Sequence, residues 1–302
     1  MIFEFDKSIQ KGDISLLAKA LLLIAEKHHH ILTDVETFDW IRNDILDSTD
    51  YLGSIDRESL KTNSELWSVT GTQKNYQRQL SVGIGDADLS IQQLYTIVNE
   101  PSYVVLENSS YDWAAISRWI ELYHNERNYK SLNESLYEAI KEQNLRPDHA
   151  GGGNGTIANE IGTLEATYSG KAQYKLTTIY DSDKTKIDDT DDHNKALKAY
   201  LVKSGMFGFE LHKREIENYF SIETLESAGM IDKTIEIPSY TPEEYDFIDI
   251  EKAPFTKYSK KDMAKLAGYL SKESLKERVA HHKHSDSVDE IQLIIIELAK
   301  YI

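Results

Sequence analysis

At 302 residues, with 40% apolar and 28% charged residues, the chain is long enough to bury a core without crosslinks, as one large domain or two smaller ones. It has no cysteine, which excludes disulfides, thiolate metal sites and cysteine nucleophiles and suits a cytoplasmic protein. A net charge of −17 argues against broad, non-specific nucleic-acid binding, which phosphate neutralisation drives.

From the N-terminus, Met1 to Asp6 carries two acids and no basic stretch, so no secretory leader is expected. The longest apolar run, Leu16 to Ala25, is interrupted by Lys19 and is too short to span a bilayer, so no membrane association is expected. Ser15 to His30 has helical character, and Phe38, Ile41 and Ile45 mark one face of a helix over Glu36 to Leu46. Asp56 to Trp67 is polar and gives no clear pattern. Thr70 to Asp88, with Gly71, Gly83 and Gly85, reads as a loop or ragged strand, and Asp88 to Val98 as a helix. Residues 1–98 are therefore expected to form a mostly helical N-terminal region.

The pattern then changes. Tyr103 to Leu106 is a short apolar, β-branched run, as in a buried strand, and it ends at Glu107. A helix follows from Asp112, with Trp113, Ile116, Trp119, Ile120 and Tyr123 on one side, and another over Leu132 to Glu142. A glycine run, Gly151 to Gly155, precedes a helical stretch through Glu165. Tyr174 to Tyr180 is a second strand, ending at Asp181-Ser182-Asp183. Asp192 to Ser204 is a helix, and Met206 to Leu211 a third strand, ending at His212-Lys213-Arg214-Glu215-Ile216-Glu217-Asn218-Tyr219. Beyond Ser221 the chain reads as helices with a proline-containing loop at Ile237 to Pro242.

Strands alternating with helices imply an α/β domain with a mostly parallel sheet flanked by helices, here over residues 99–225, followed by a helical C-terminal region over 226–302. In such sheets ligands gather at the carboxyl ends of the strands. Glu107, Asp181 with Asp183, and Glu215 or Glu217 would converge there from three segments. Hard divalent cations take such oxygen ligands, and a cation so held activates water and stabilises the leaving oxygen of a phosphodiester. The plainer reading is a solvated acidic loop, since Asp181 to Asp192 also holds Asp188, Asp189, Asp191 and Asp192.

Leu106-Glu107-Asn108, Tyr180-Asp181-Ser182-Asp183 and Arg214-Glu215-Ile216-Glu217-Asn218-Tyr219 resemble the motifs of the Toprim superfamily, over roughly residues 100–225. The Glu-Asn-Tyr ending is most similar to Toprim nucleases of bacterial anti-phage systems, among them the overcoming-lysogenization-defect type. The resemblance implies a Toprim-like fold and a Mg²⁺- or Mn²⁺-dependent endonuclease acting on DNA or RNA. It makes Glu107, Asp181 and Asp183 metal ligands and catalytic residues, and Glu217 a further ligand, with Glu215 its competitor for that place. It also admits a second reading, a non-catalytic Toprim-like interaction subunit that assembles with a partner ATPase of the ABC or SMC type. A homo-oligomer is compatible with either. Topoisomerase action is not expected, since no strand-cleaving tyrosine domain of the needed size is seen, nor primase action, since there is no cysteine zinc module.

Other clusters carry competing readings. Lys213 and Arg214 would neutralise charge on a reacting phosphate, or pair with Glu215 or Glu217. The Gly151 to Thr156 run is a phosphate cradle or a flexible turn, and it lacks the Lys-Ser/Thr ending of a P-loop. His28, His29 and His30 point in different directions on a helix, so a solvated helix end is expected rather than a metal site. His149 and His212 are candidates for proton transfer or for structural hydrogen bonds. Lys252 to Lys283 is a locally basic stretch within an acidic chain, a place to grip a phosphate backbone or a solvated face, and His281, His282 and His284 sit in or beside it. Trp113, Trp119 and Tyr123 are expected in the core.

Overall fold

The computed structural model describes residues 1–302 apart from 49, 64–66, 69–76, 153, 190–192, 232, 233, 235, 237, 251–254, 256–259, 281, 282, 286 and 287. Gly153, Asp191, Asp192, Lys252, Lys257, His281 and His282, singled out above, thus lie outside the described residues, as do the side chains of Lys260, Lys261, Lys283 and His284. The chain divides into two compact units. One comprises Met1–Pro101, Glu165–Lys175 and Lys300–Ile302, and the other Ser102–Leu164 and Leu176–Ala299.

The first unit has the expected helices and adds to them a sheet that was not expected. Its elements are β1 (Ile2–Phe5), α1 (Ile14–Glu26), β2 (His30–Thr33), α2 (Val35–Trp40), α3 (Ser54–Asn63), β3 (Trp67–Ser68), β4 (Gln79–Val82) and α4 (Ile91–Asn99). The strands form one parallel sheet in the order β3-β2-β1-β4. None exceeds four residues, too few for alternation to stand out from the helical periodicity around it. The helices start where acids and hydroxyls cap them. Asp13 accepts from the Leu16 amide at 3.0 Å, Asp34 from Thr37 at 2.8 Å, and Ser90 and Gln93 close a capping box on α4. From α1, Leu17, Ala18, Leu21, Ile24 and Ala25 enter the core, and α1 packs on α3 and α4. At the carboxyl ends of β1 and β4 the crevice is closed by the chain itself. Asp6 accepts from the Ser8 amide at 2.6 Å and Ser8 Oγ from the Ile84 amide at 2.7 Å, while a Cβ on Gly83 would lie 2.0 Å from the Asp6 carboxylate.

A cluster of bases is buried at the other end of this unit. His29 is 5% exposed, contrary to a solvated helix end, with Nδ1 3.3 Å from the Met1 amino nitrogen and its ring edge-on to Phe3. Burial, then the Met1 amine, Lys175 and Lys27, hold its pKa well below the ordinary value. Lys175 is 3% exposed, and burial, reinforced by Lys27 and opposed by Glu100, pushes its pKa from 10.5 down to about 7.

The second unit contains β5 (Ser102–Leu106), α5 (Ser109–Tyr123), α6 (Lys130–Lys141), β6 (Leu145–His149), α7 (Asn154–Glu165), β7 (Leu176–Tyr180), α8 (His193–Ser204), β8 (Gly208–Glu210), α9 (Ile222–Ala228), α10 (Pro242–Phe247), α11 (Lys260–Tyr269), α12 (Lys272–Val279), a hairpin of β9 (Lys283–Ser285) and β10 (Val288–Asp289), and α13 (Glu290–Leu298). β5 to β8 form a parallel sheet in the order β6-β5-β7-β8, flanked by helices, so the α/β class expected for this region is found. All five residues of β7 are buried, as a central strand requires. β6 is an edge strand, which lets it carry Pro147 without losing a ladder bond. A Cβ on Gly208 of β8 would lie 2.4 Å from Leu201 Cδ1 and 2.9 Å from Thr178 Cγ2, so only glycine lets this strand close against α8 and β7. Trp119 and Tyr123 are core residues, and Tyr123 donates its hydroxyl to Asp289 at 2.8 Å. α11 packs on α5 and α9, and α13 on α5 and α6. No helix among the described residues is long and apolar enough to cross a membrane.

The lowered Lys175 pKa predicts a pH dependence of stability. A base with a depressed folded pKa adds stability above its unfolded pKa and loses it as pH falls toward the folded value. Lys175 therefore costs the fold stability as pH drops from 10.5 to about 7. Lys175→Met is expected to raise the melting temperature at pH 7 by about 2–4 °C, and by less at pH 10, in thermal melts followed by circular dichroism.

Candidate functional site

The order β6-β5-β7-β8 reverses at β5. The chain leaves β5 toward β6 on one side and returns to β7 on the other. The crevice beyond the carboxyl ends of β5 and β7 is thus the topological switch point, the usual ligand position of an open α/β sheet. Glu107 is the first residue after β5 and Asp181 the first after β7. The sheet topology therefore places both, from distant parts of the sequence, at one crevice.

Asp181 lies at its centre. Burial raises its pKa well above the ordinary 3.8, and Asp112, Glu217, Glu215 and Glu107, in that order, push it further up. Four other carboxylates thus act on one. Its compensation is local: Asp181 Oδ1 accepts from the Ile216 amide at 3.1 Å, and its carbonyl accepts from Asn194 Nδ2 at 2.9 Å. Asp112 was not singled out in the sequence as an acid of the site. It sits in the first turn of α5 and accepts from the Asn108 amide at 3.0 Å. Burial, against that hydrogen bond and with Glu107 adding to it, raises its pKa to about 7.

Asp183 occupies a different place from Asp181. It is exposed, in the left-handed region at φ 56°, with its amide donating to the Arg214 carbonyl at 3.0 Å. Its charge acts on Arg214 and Glu215 at the rim. Glu215 is half-buried, with its pKa raised by burial and drawn back by Arg214, whose Nε lies 2.9 Å away. Glu217 lies on the 3₁₀ turn Ile216–Tyr219, half-buried, and acts on Asp181.

The structure gives Lys213 a role other than meeting a reacting phosphate. Its side chain is fully buried, its Nζ is 2.5 Å from Asp246 Oδ1, and it lies 5.3 Å from the Tyr219 ring centre. Arg278 also binds Asp246 and donates to the Asn218 carbonyl from Nε at 3.1 Å and Nη2 at 2.8 Å. One buried carboxylate thus holds two buried cations, and all three groups tie down the segment 212–219. Further bonds join the same segment. Ser182 Oγ donates to the Lys213 carbonyl at 2.9 Å, Asn218 Nδ2 to the Tyr245 carbonyl at 2.9 Å, and the His212 amide to Glu290 at 2.7 Å. The acids at Glu215 and Glu217 are therefore carried on a braced loop.

The remaining candidates separate in the same way. His149 is exposed at the end of β6. Gly151 and Gly152 adopt φ of 82° and 130°, as a turn needs, and a Cβ on either would meet nothing within 4 Å. In the basic stretch, Lys272 and Lys276 bind Glu126, the latter at 2.8 Å, Lys265 donates to the Ala228 carbonyl at 3.2 Å, and Arg278 is buried. Those cations serve the unit's own fold. Among the described residues, no group of three or more His, Cys, Asp or Glu is placed to hold a metal ion.

Asp246 is where truncation should tell most. Asp246→Ala leaves two buried cations without their carboxylate and is expected to cost about 3–5 kcal/mol in urea denaturation, with Lys213→Met costing less because the Asp246–Arg278 pair survives. No family model matches the chain, and no curated protein or solved structure matches it either.

Proposed function

We propose that the crevice between β5 and β7 is a site of phosphodiester hydrolysis in nucleic acid, dependent on Mg²⁺ or Mn²⁺. The observation that carries the reading is the convergence of Glu107, Asp112, Glu215 and Glu217 on Asp181 at the switch point of a parallel sheet. The donors suit a hard divalent cation in kind, being carboxylate oxygens with a surplus of negative charge that a dication would offset. In spacing they form no closed cage. Glu107, Asp112 and Asp181 are the residues that would hold the ion, with Glu217 and Asp183 as further donors. When bound, a divalent cation supplies charge for the attacking and leaving oxygens.

The chain's own groups have definite tasks in this reading. Asp112, raised to about 7 without an ion, would give up its proton on holding a dication, so binding of the ion would be pH-dependent near neutrality. The Ile216 amide fixes Asp181, and the Lys213–Asp246–Arg278 cluster fixes the loop carrying Glu215 and Glu217. Arg214, half-buried beside Asp183, is the cation nearest to the rim acids and would meet a phosphate entering there. The resemblance of the motifs to Toprim nucleases extends the proposal to an effector of anti-phage defence.

One observation favours a second reading. The lack of a compact ligand group among the described residues suits a Toprim-like subunit that assembles with a partner ATPase of the ABC or SMC type and cuts nothing. Cleavage assays on DNA and RNA with Mg²⁺ or Mn²⁺ separate the two. The wild type is expected to cut, and Glu107→Ala and Asp181→Ala to lose at least about 100-fold in rate. Cleavage unchanged in both variants removes the site assignment. A wild type that cuts nothing, but co-purifies with an ATPase, supports the second reading.

A further inference from the structure

We infer that the cleft beside the acid cluster is a stacking subsite for an unpaired base, so that the substrate is single-stranded nucleic acid; this rests on the hydrolytic reading above. The cleft has a volume of about 600 Å³ and is lined by Thr185, Lys186, Ile187, Tyr240, Phe247 and Ile248 among others. That volume lies within the usual range for small-ligand pockets of about 300–1,000 Å³, room for a nucleoside and its sugar.

The cleft continues the acid site along two segments. Thr185 to Ile187 prolong the loop that leaves β7 at Asp181 and Asp183. Phe247 and Ile248 follow Asp246, the carboxylate bracing the acid-bearing loop, and precede Asp249, which faces Arg214 at 3.7 Å. A strand with its phosphate at the crevice would pass Arg214 and Lys184 before its next base reached the cleft. There Ile187, Tyr240, Phe247 and Ile248 give the lining an aromatic and apolar part, beside the polar Thr185, Lys186 and Thr241. Tyr240 is half-buried and inclined to Tyr245 with ring centres 6.2 Å apart, Phe247 is buried, and Ile187 is 46% exposed. Aromatic faces of this kind stack any base and are indifferent to sequence. Glu243 and Glu244 also line it, but Glu244 is spent on capping α10, accepting from the Thr241 amide at 2.8 Å.

Charge points the same way. Duplex binding depends on neutralising many phosphates. A chain of net charge −17, whose described basic-stretch residues Lys265, Lys272, Lys276 and Arg278 bind its own carboxylates and carbonyls, supplies little of that. Stacking plus a few contacts from Lys184, Lys186 and Arg214 suits a single strand, whose bases are free to leave the stack, and not a duplex, whose bases are already paired and stacked.

The test is fluorescence anisotropy with end-labelled DNA and RNA oligonucleotides, single-stranded and duplex, in EDTA. Single strands of at least one sugar type are expected to bind at least tenfold more tightly than duplex. Tyr240→Ala is expected to weaken that binding about tenfold or more, with Tyr240→Phe near wild type and Lys186→Ala lowering the salt slope by about 0.7. Preference for duplex, no binding to single strands, or wild-type affinity in Tyr240→Ala overturns the inference. Cleavage with Mn²⁺ keeps the two claims apart. A protein that binds single strands through Tyr240 but cuts nothing loses the hydrolytic reading and keeps the subsite. One that cuts duplex equally well with Tyr240→Ala keeps hydrolysis and loses the subsite.

Discussion

The second unit is organised around a carboxylate that its surroundings disfavour. Asp181 is held at the end of a fully buried strand, among four acids that each raise its pKa, with the Ile216 amide donating to its Oδ1. Like charges placed together out of water cost free energy, and a fold keeps them only where other interactions over-determine the arrangement. Here those interactions are the sheet, which sets β5 beside β7, and the Lys213–Asp246–Arg278 cluster, which sets the loop 212–219 beside both.

Structure and chemistry meet in the division of charges. Among the described residues, four cations that the sequence offers to a phosphate are taken up elsewhere: Lys213 and Arg278 by Asp246, Lys272 and Lys276 by Glu126. The acids at the switch point keep a net negative charge as a result. Such a site suits a dication better than it suits a bare phosphate, and the rim cation Arg214 is itself paired with Glu215 and Asp249. The crevice of the first sheet makes a useful contrast. Its order β3-β2-β1-β4 also reverses, between β1 and β4, yet Asp6, Ser8, Gly83 and Ile84 close on one another there.

Parts of this were legible in the sequence for physical reasons. Tyr103 to Leu106 and the run ending at Tyr180 are central strands, buried on both faces, so their apolar character marks them and places Glu107 and Asp181 at strand ends. β6 escaped notice because an edge strand tolerates Arg146, Pro147 and Asp148. The first sheet escaped because Ile2–Phe5, His30–Thr33 and Gln79–Val82 are each only four residues long. Asp112 was hidden inside an amphipathic helix, where an acid near the start reads as an ordinary first-turn residue. Its approach to Asp181 depends on strand order. An ion pair was one of the two readings open to Lys213, but its partner Asp246 lies 33 residues away, on a helix whose packing no local pattern reveals.

The central claim is that Asp181 and Asp112 share a crowded negative site that a divalent cation would relieve. Carbon-detected NMR titration of the aspartate carboxyl groups, with and without Mg²⁺, tests it most directly. Without the ion, Asp112 should titrate near 7 and Asp181 well above 3.8, and saturating Mg²⁺ should lower both. Ordinary titration of both groups near 3.8, unaltered by Mg²⁺, would contradict the account.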